Sequence, residues 1–397
     1  MLDDPKFIPL AKPVLDEREA AAASRAILSG WVTQGPEVAA FENEFAELVG
    51  AAHACAVSNC TSALHLALLA AEVRSGDEVI TASHSYIATA NSIRYCGATP
   101  VFVDIEPATF NLNPDLVESA ITGRTRAIMC VHQMGMPSDL DALRRIARRH
   151  SLTLIEDAAC AIGSQIRWDN QWTMIGRPHA DIACFSFHPR KVITTGDGGM
   201  LTTASADLDR KFRLLRQHSM SVPDTIRHAS NRVIFEQYPE VGYNYRMTDI
   251  QAAVGREQLK RLPDLIARRR ELAIRYHQLL ANVRGVVAPY EPAFARSNWQ
   301  SYAIRLPDGC DQVAVMQFML DRGIATRRGI MCAHREPAFQ PGQYRAAGSL
   351  MESEAAQDRA IVLPLFDEMT STQQDRVVEA LAAAVCPEIA ISRSANV

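Results

Sequence analysis

Lys191 draws attention through its company. The stretch Phe185-Ser186-Phe187-His188-Pro189-Arg190-Lys191-Val192-Ile193-Thr194-Thr195-Gly196-Asp197-Gly198-Gly199 runs from a short apolar segment, residues 181–185, through a polar turn with one lysine into three glycines. An amine at the mouth of a buried strand can trap a carbonyl, because partial desolvation lowers its pKa and frees the neutral nucleophile. Read alone, Lys191 fits a solvated surface lysine better. Its neighbours reverse that reading: Ser186 offers a hydroxyl to a phosphate, and Gly196, Gly198 and Gly199 free the backbone for close approach or positive φ.

A second group lies upstream in Leu152-Thr153-Leu154-Ile155-Glu156-Asp157-Ala158-Ala159-Cys160. An apolar run that ends in an acid places that acid where a parallel strand leaves the sheet, the edge at which open α/β sheets bind ligands. Asp157 and Lys191 then share one rim. A helix cap or a surface ion pair is the alternative for Asp157. Lysine and aspartate at strand ends, with hydroxyls nearby, match what pyridoxal 5′-phosphate needs: an amine to hold its aldehyde as a Schiff base and a carboxylate to keep its pyridine nitrogen protonated.

Five segments extend the pattern: Gly30-Trp31-Val32-Thr33-Gln34-Gly35-Pro36, Ser58-Asn59-Cys60-Thr61-Ser62-Ala63-Leu64, Glu156-Asp157-Ala158-Ala159, residues 186–199, and Gly242-Tyr243-Asn244-Tyr245-Arg246-Met247-Thr248-Asp249. Together, and in this order, they resemble the DegT/StrS sugar aminotransferases, pyridoxal-phosphate enzymes of fold type I. The resemblance implies an α/β large domain with a mostly parallel central sheet flanked by helices, followed by a smaller C-terminal α/β domain. It implies Lys191 and Asp157 as catalytic residues. Thr61, Ser62, Tyr86, Cys160, Ser186 and Asn244 would join these two around the cofactor.

Each assignment has a local rationale. Thr61 and Ser62 open a helix at 61–73, whose free N–H groups and positive dipole end favour a dianionic phosphate, although plain capping would explain either hydroxyl. Tyr86 follows a strand at 78–82, in residues 84–91 that open the next helix, and stands where the family stacks an aromatic on the pyridine ring; core packing is the alternative. Cys160 departs from the glutamine or histidine usual there, and a thiol is a weaker donor. Asn244 in isolation is a turn residue; the resemblance has it reach the partner subunit's phosphate across a two-fold axis, which implies a homodimer with shared active sites.

Substrate-side candidates are Trp31, Thr33, His188, Arg327, Arg328 and His334. Trp31 and Thr33 lie on a loop that in the family covers the cofactor. Arg328-Gly329-Ile330 stands where many relatives carry histidine, an aromatic and proline, and paired arginines suit phosphate or carboxylate unless they belong to a solvated turn. The implied reaction moves an amino group from L-glutamate or L-glutamine to a ketosugar, with a nucleotide-linked acceptor expected and a keto-cyclitol or ketosugar phosphate as alternatives. Sugar dehydratases of the same fold replace the lysine with histidine, so Lys191 argues against that route. A non-catalytic regulator is a further alternative, but no helix-turn-helix with basic recognition residues is present.

The elements that must carry these residues follow from the chain at large. Its 397 residues exceed one ordinary core, and the division expected is an N-terminal arm at 1–14, a large cofactor domain at 15–262, and a linker helix with a small domain at 263–397. With 48% apolar and 22% charged residues, the composition is that of a soluble globular protein. A net charge of −4 provides no basic excess for nucleic acid. The arginines at 144, 145, 148 and 149 and at 268–270 read as solvated helix faces.

Nine scattered cysteines without a CxxC pair suggest reduced thiols and no metal site. With no basic leader and no apolar run near ~20 residues, a cytoplasmic protein is expected. Helices are predicted at 16–29, from Pro36, from Pro114, from Ser138, from Thr248, at 263–283, at 312–322 and at 372–385. Strands are predicted at 53–58, 100–104, 126–132 and 301–306, with a polar irregular stretch over 217–240.

Overall fold

The computed structural model describes residues 6–222 and 230–385. Its strands are β1 (His53–Val57), β2 (Glu78–Ala82), β3 (Thr99–Val103), β4 (Thr125–Val131), β5 (Thr153–Asp157), β6 (Gln165–Trp168), β7 (Gln171–Met174), β8 (Ile182–Ser186), β9 (Gly199–Thr203), β10 (Ala295–Arg296), β11 (Tyr302–Arg305), β12 (Arg327–Arg328), β13 (Arg345–Ala346) and β14 (Ala360–Leu363). Eight of them form one sheet in the order β1-β9-β8-β5-β4-β2-β3-β13. Neighbours from β8 through β13 run parallel, while β9 lies antiparallel to both β1 and β8.

The helices are α1 (Glu17–Ser29), α2 (Pro36–Val49), α3 (Cys60–Ala70), α4 (Ala88–Tyr95), α5 (Pro114–Val117), α6 (Leu140–Arg149), α7 (Ala206–Leu215), α8 (Asp249–Leu280), α9 (Gln312–Leu320), α10 (Met351–Arg359) and α11 (Ser371–Val385). Alternate side chains of each central strand enter different cores. Ala54, Ala56, Ile128, Cys130, Ala183 and Phe185 pack with Phe41 and Phe45 of α2 and Leu143 of α6. On the other face Cys55, Val57, Ala127, Met129, Ile182 and Cys184 meet Leu64 and Leu68 of α3 and Phe212 of α7. A sheet covered on both faces explains why its strands read as continuous apolar runs.

Several predicted bounds needed correction. The helix expected to open at residues 84–91 begins at Ala88, so Tyr86 lies in the turn before it. The separate helices expected from Thr248 and at 263–283 are one helix of 32 residues with Pro263 inside. Proline forfeits one backbone hydrogen bond, but the flanking Leu259, Leu262, Leu265 and Ile266 are all buried, and that burial offsets the loss. The hairpin β6–β7 and the reversed strand β9 had no counterpart in the sequence reading. Residues 217–222 and 230–240 contain neither helix nor strand, as expected, while 223–229 lie outside the described residues.

Beyond residue 270, α8 continues into a second apolar core, where Leu272, Tyr276 and Leu280 meet Tyr302 and Ile304 of β11, Met319 of α9, Leu363 of β14 and Leu381 of α11. The sheet β11-β14-β12 in this core is antiparallel throughout. The N-terminal arm is strapped to the same region: Ile8 N donates to Gly323 O at 2.8 Å, and Leu365 N to Leu10 O at 3.1 Å. Among the described residues no helix is long and apolar enough to cross a membrane.

The arginines at 268–270 are not a solvated face. Arg268 donates to the carbonyls of Asp367 and Met369 at 3.1 and 2.7 Å, and Arg270 to that of Ser297 at 3.0 Å. Arg269 is 4% exposed and donates to the carbonyls of Trp299 and Gln300 at 3.2 and 3.3 Å. Burial pulls its pKa down to about 10, with Asp367 opposing. These bonds hold a loop in which Trp299 adopts φ of +51°, a strained value for a bulky residue. The arginines of α6 remain largely solvated, with exposed pairs such as Arg149–Glu118 at 2.7 Å.

Arg269→Ala leaves two carbonyls without their donor and is expected to destabilise the protein by about 2 kcal/mol. Chemical denaturation reads this as a lower midpoint with an unchanged slope. An unaltered midpoint would show that the loop is held by other means.

Candidate active site

Nine of the fourteen predicted residues meet in a cavity of about 690 Å³ at the edge where the parallel strands end. Thr61, Ser62, Tyr86, Asp157, Cys160, Ser186, His188, Lys191 and Arg327 all line it. Asp157 closes β5 and Ser186 closes β8. Lys191 follows in a turn knotted onto itself: Phe187 N donates to Gly198 O at 2.9 Å, Thr195 N to Phe187 O at 3.0 Å, and Lys191 N to His188 O at 2.8 Å. Gln258 of α8 supports the turn from behind, accepting from Thr194 N at 3.2 Å.

At the opposite wall β1 hands over to α3. Asn59 caps the helix, accepting from Ser62 N at 2.8 Å, so Ser62, a candidate for phosphate binding, gives its backbone N–H to the cap and keeps its hydroxyl beside that of Ser58, 3.2 Å away. The N–H groups of Cys60 and Thr61 have no acceptor among the described residues. Gly199 of β9 runs so close beneath this turn that an added Cβ would stand 2.5 Å from the Asn59 carbonyl carbon. That glycine is required by contact rather than by its dihedral angle.

Electrostatics bind the centre together. Burial pushes the Asp157 carboxyl up from its ordinary value, opposed by hydrogen bonds from Thr89 and the Ala159 backbone and by the Lys191 charge. Lys191 Nζ donates to Cys160 Sγ at 3.0 Å. Burial alone pushes the Lys191 amine down, but Cys160, Cys60 and Asp157 together more than offset it, and the net shift is upward. That net direction is the reverse of what desolvation alone would give, because acidic neighbours oppose the loss of water. His188 titrates below its usual value, chiefly through burial and then through Arg190.

Other candidates stand apart from the cavity wall. Arg328 turns to the face opposite Arg327, as neighbours on a strand do, and pairs with Glu336 at 3.1 Å. His334 is taken by Ser83 at 2.7 Å and Glu354 at 3.0 Å. Trp31 and Thr33 sit on the loop before α2, where Asp249 accepts from the N–H groups of Gly35, Glu37 and Val38 at 2.7, 3.1 and 3.0 Å. Asn244 is exposed, and neither it nor this loop lines the cavity of its own chain.

The cavity also contains residues that the motifs did not mark. Thr89 donates to Asp157 Oδ2 at 2.7 Å. Gln133, just beyond β4, leaves the sheet at the same edge as Asp157, and that rule of position could have found it. Gln300 and Ser301 arrive on the loop held by Arg269, and Leu10 and Ala11 on the N-terminal arm; no local pattern announces either pair.

The donor set fits pyridoxal phosphate. Hydroxyls and open N–H groups at the start of α3 suit a phosphate, Asp157 a protonated ring nitrogen, and Lys191 an aldehyde.

Of the other cysteines, Cys96 is comparably half-buried, but burial pushes its thiol up to about 12. Iodoacetamide at pH 8 is therefore expected to modify Cys160 at least about ten-fold faster than Cys96. Peptide mass mapping over time reads this directly, and equal rates would count against an accessible Cys160.

Comparison with known proteins agrees with this geometry. The family described as the DegT/DnrJ/EryC1/StrS aminotransferase family matches residues 13–382. The aminotransferase TlmJ from Streptoalloteichus hindustanus is 32% identical, with 96% of this chain and 100% of that one covered at a TM-score of 0.87. PseC of Helicobacter pylori, an aminotransferase involved in the biosynthesis of pseudoaminic acid, is 26% identical over 96% of this chain and 99% of its own, with a TM-score of 0.87. The PLP-form of the putative sugar aminotransferase Spr1654 from Streptococcus pneumoniae is 26% identical over 96% and 98%, with a TM-score of 0.85. The chain belongs to the DegT/DnrJ/EryC1/StrS aminotransferase family, whose members are pyridoxal-phosphate-dependent enzymes of fold type I.

Proposed function

We propose that this enzyme transfers an amino group from L-glutamate or L-glutamine to a nucleotide-linked ketosugar, with pyridoxal phosphate held by Lys191. The observation that carries the reading is the meeting of Lys191, Asp157 and the open end of α3 around one cavity. The likeness to solved aminotransferases of sugar metabolism supports a sugar as acceptor, and the nucleotide is this reading's own addition.

When bound, pyridoxal phosphate supplies a carbonyl for the incoming amine and a ring that accepts the electron pair left as the Cα proton departs. The remaining work falls to this chain. Thr61, Ser62 and Ser186 hydroxyls, with the N–H groups of Cys60 and Thr61, anchor the phosphate. Tyr86, 52% exposed in the turn before α4, offers its face to the pyridine ring. Asp157 holds a proton on the ring nitrogen. Lys191 Nζ would serve as the base that takes the proton from the donor's Cα and as the acid that returns one to the product carbon. Cys160 holds the lysine amine at the cavity wall.

Asn244, exposed and outside its own cavity, is proposed to complete the site of a second copy in a homodimer. Three experiments test these assignments. The reconstituted enzyme is expected to be yellow, to bleach on adding L-glutamate, and to lose both properties in Lys191→Ala; a variant that still turns over at more than about 1% of the native rate would remove Lys191 from the mechanism.

Mixing inactive Lys191→Ala with inactive Asn244→Ala is expected to restore about a quarter of native activity, because half of the re-sorted dimers carry one intact site. No recovery despite subunit exchange would exclude a shared site. Among nucleotide-linked ketosugars, free keto-cyclitols and ketosugar phosphates, only the first are expected to regenerate the yellow form.

A further inference from the structure

Behind Asp157 stands a chain of hydroxyls with no assigned role. Asp157 is 4% exposed, with Oδ1 accepting from Ala159 N at 3.2 Å and Oδ2 accepting from Thr89 Oγ1 at 2.7 Å. Thr89 is 1% exposed in the first turn of α4, and its hydroxyl meets Ser85 Oγ at 2.7 Å. Asp157, Thr89 and Ser85 all border the cavity.

A hydroxyl carries one proton, and an ionised carboxylate can only accept. Thr89 must therefore give its proton to Asp157 Oδ2, and Ser85 must in turn donate to Thr89. The order of protons along the chain is set by the charge on Asp157: a proton on Oδ2 would turn Thr89 into an acceptor and release Ser85.

The titratable groups that face Asp157 come from several elements. Lys191 approaches from its turn, His132 from the end of β4, Cys60 from α3, Cys130 from β4 and Cys184 from β8. Among the described residues Thr89 is the only side chain that donates a hydrogen bond to the carboxylate.

We propose that Thr89 is a positioning residue for the transamination, holding Asp157 ionised and fixed in rotation, with Ser85 ordering the Thr89 hydroxyl. This rests on the reading of Asp157 as the acid that faces the pyridine nitrogen. Anchoring Oδ2 stops the carboxylate from turning about its Cβ–Cγ bond, so the free lone pairs keep one direction into the cavity. Threonine suits the task because a β-branched side chain on a helix has few rotamers. Valine keeps that shape and loses the hydroxyl, while serine keeps the hydroxyl and loses only a methyl group.

The test compares Thr89→Val, Thr89→Ser, Ser85→Ala, Asp157→Asn and the double variant Thr89→Val/Asp157→Asn as reconstituted holoenzymes. Single-turnover conversion with L-glutamate and the pH dependence of the bound cofactor's absorbance are the readouts. Thr89→Val is expected to lower kcat about 10- to 100-fold with KM within about two-fold, and to shift the absorbance titration, as loss of a hydrogen bond to a charged group should. Thr89→Ser is expected to stay within about three-fold of native, and Ser85→Ala to lose about three- to ten-fold in kcat. In the Asp157→Asn background Thr89→Val should add less than about two-fold, because the two residues act as one unit.

The proposal fails if Thr89→Val keeps native kcat and absorbance while Asp157→Asn abolishes activity, or if Thr89→Ser is as damaged as Thr89→Val. Were Thr89→Val not to fold, native-like Ser85→Ala kinetics would overturn the chain by themselves. Full activity in Asp157→Asn is a separate outcome that removes the role of Asp157 itself, and Thr89 falls with it.

Discussion

A carboxylate kept out of water is the constraint on which this site depends. Asp157 ends a central strand with helices over both faces of the sheet, and burial favours its neutral form. In the role proposed for Asp157, only the ionised form could hold a proton on a ring nitrogen. The cavity is therefore built to oppose that tendency, through the Thr89 hydroxyl, the Ala159 backbone and the amine at 191. Each comes from a different element: the first turn of α4, the exit of β5, and the turn after β8. Only a sheet whose parallel strands end along one edge can bring three such segments to one group.

The same crowding decides the condition of the amine. Lysine buried among apolar side chains alone would lose its proton easily, whereas Lys191 lies beside a thiol and near a carboxylate and titrates above the ordinary range. Cys160 does more here than fill space, since its sulfur accepts from the Lys191 amine. It ties the free amine to the cavity wall at 3.0 Å.

Much of this was legible in the amino-acid sequence where the chemistry is local. A strand followed by an acid, a strand followed by a lysine turn and glycines, and a strand running into a hydroxyl-rich helix start each declare themselves within about ten residues. Nine of the fourteen named site residues line the cavity. What stayed hidden depends on tertiary neighbours. Arg327 and Arg328 look alike in sequence, and only the pleat of β12 decides which one faces inward. Arg269 reads as a surface charge until the loop bearing Trp299 closes over it. Pro263 reads as a helix start because its cost is offset by contacts made far along the chain, and β9 shows no local sign that it runs against its neighbours.

That reversed strand has a bearing on how the molecule comes into being. In the main sheet β1 is joined to the rest through β9 alone, with His53 opposite Thr203 and Val57 opposite Gly199. During synthesis the segment carrying β1 and the turn into α3 leaves the ribosome early but has no strand of the main sheet to dock against until Thr203 has been made. Pairings of such wide sequence separation form slowly. The corner where β1 hands over to α3 thus sets only after β9 has been made, and until then the nascent chain must carry an unpaired apolar strand.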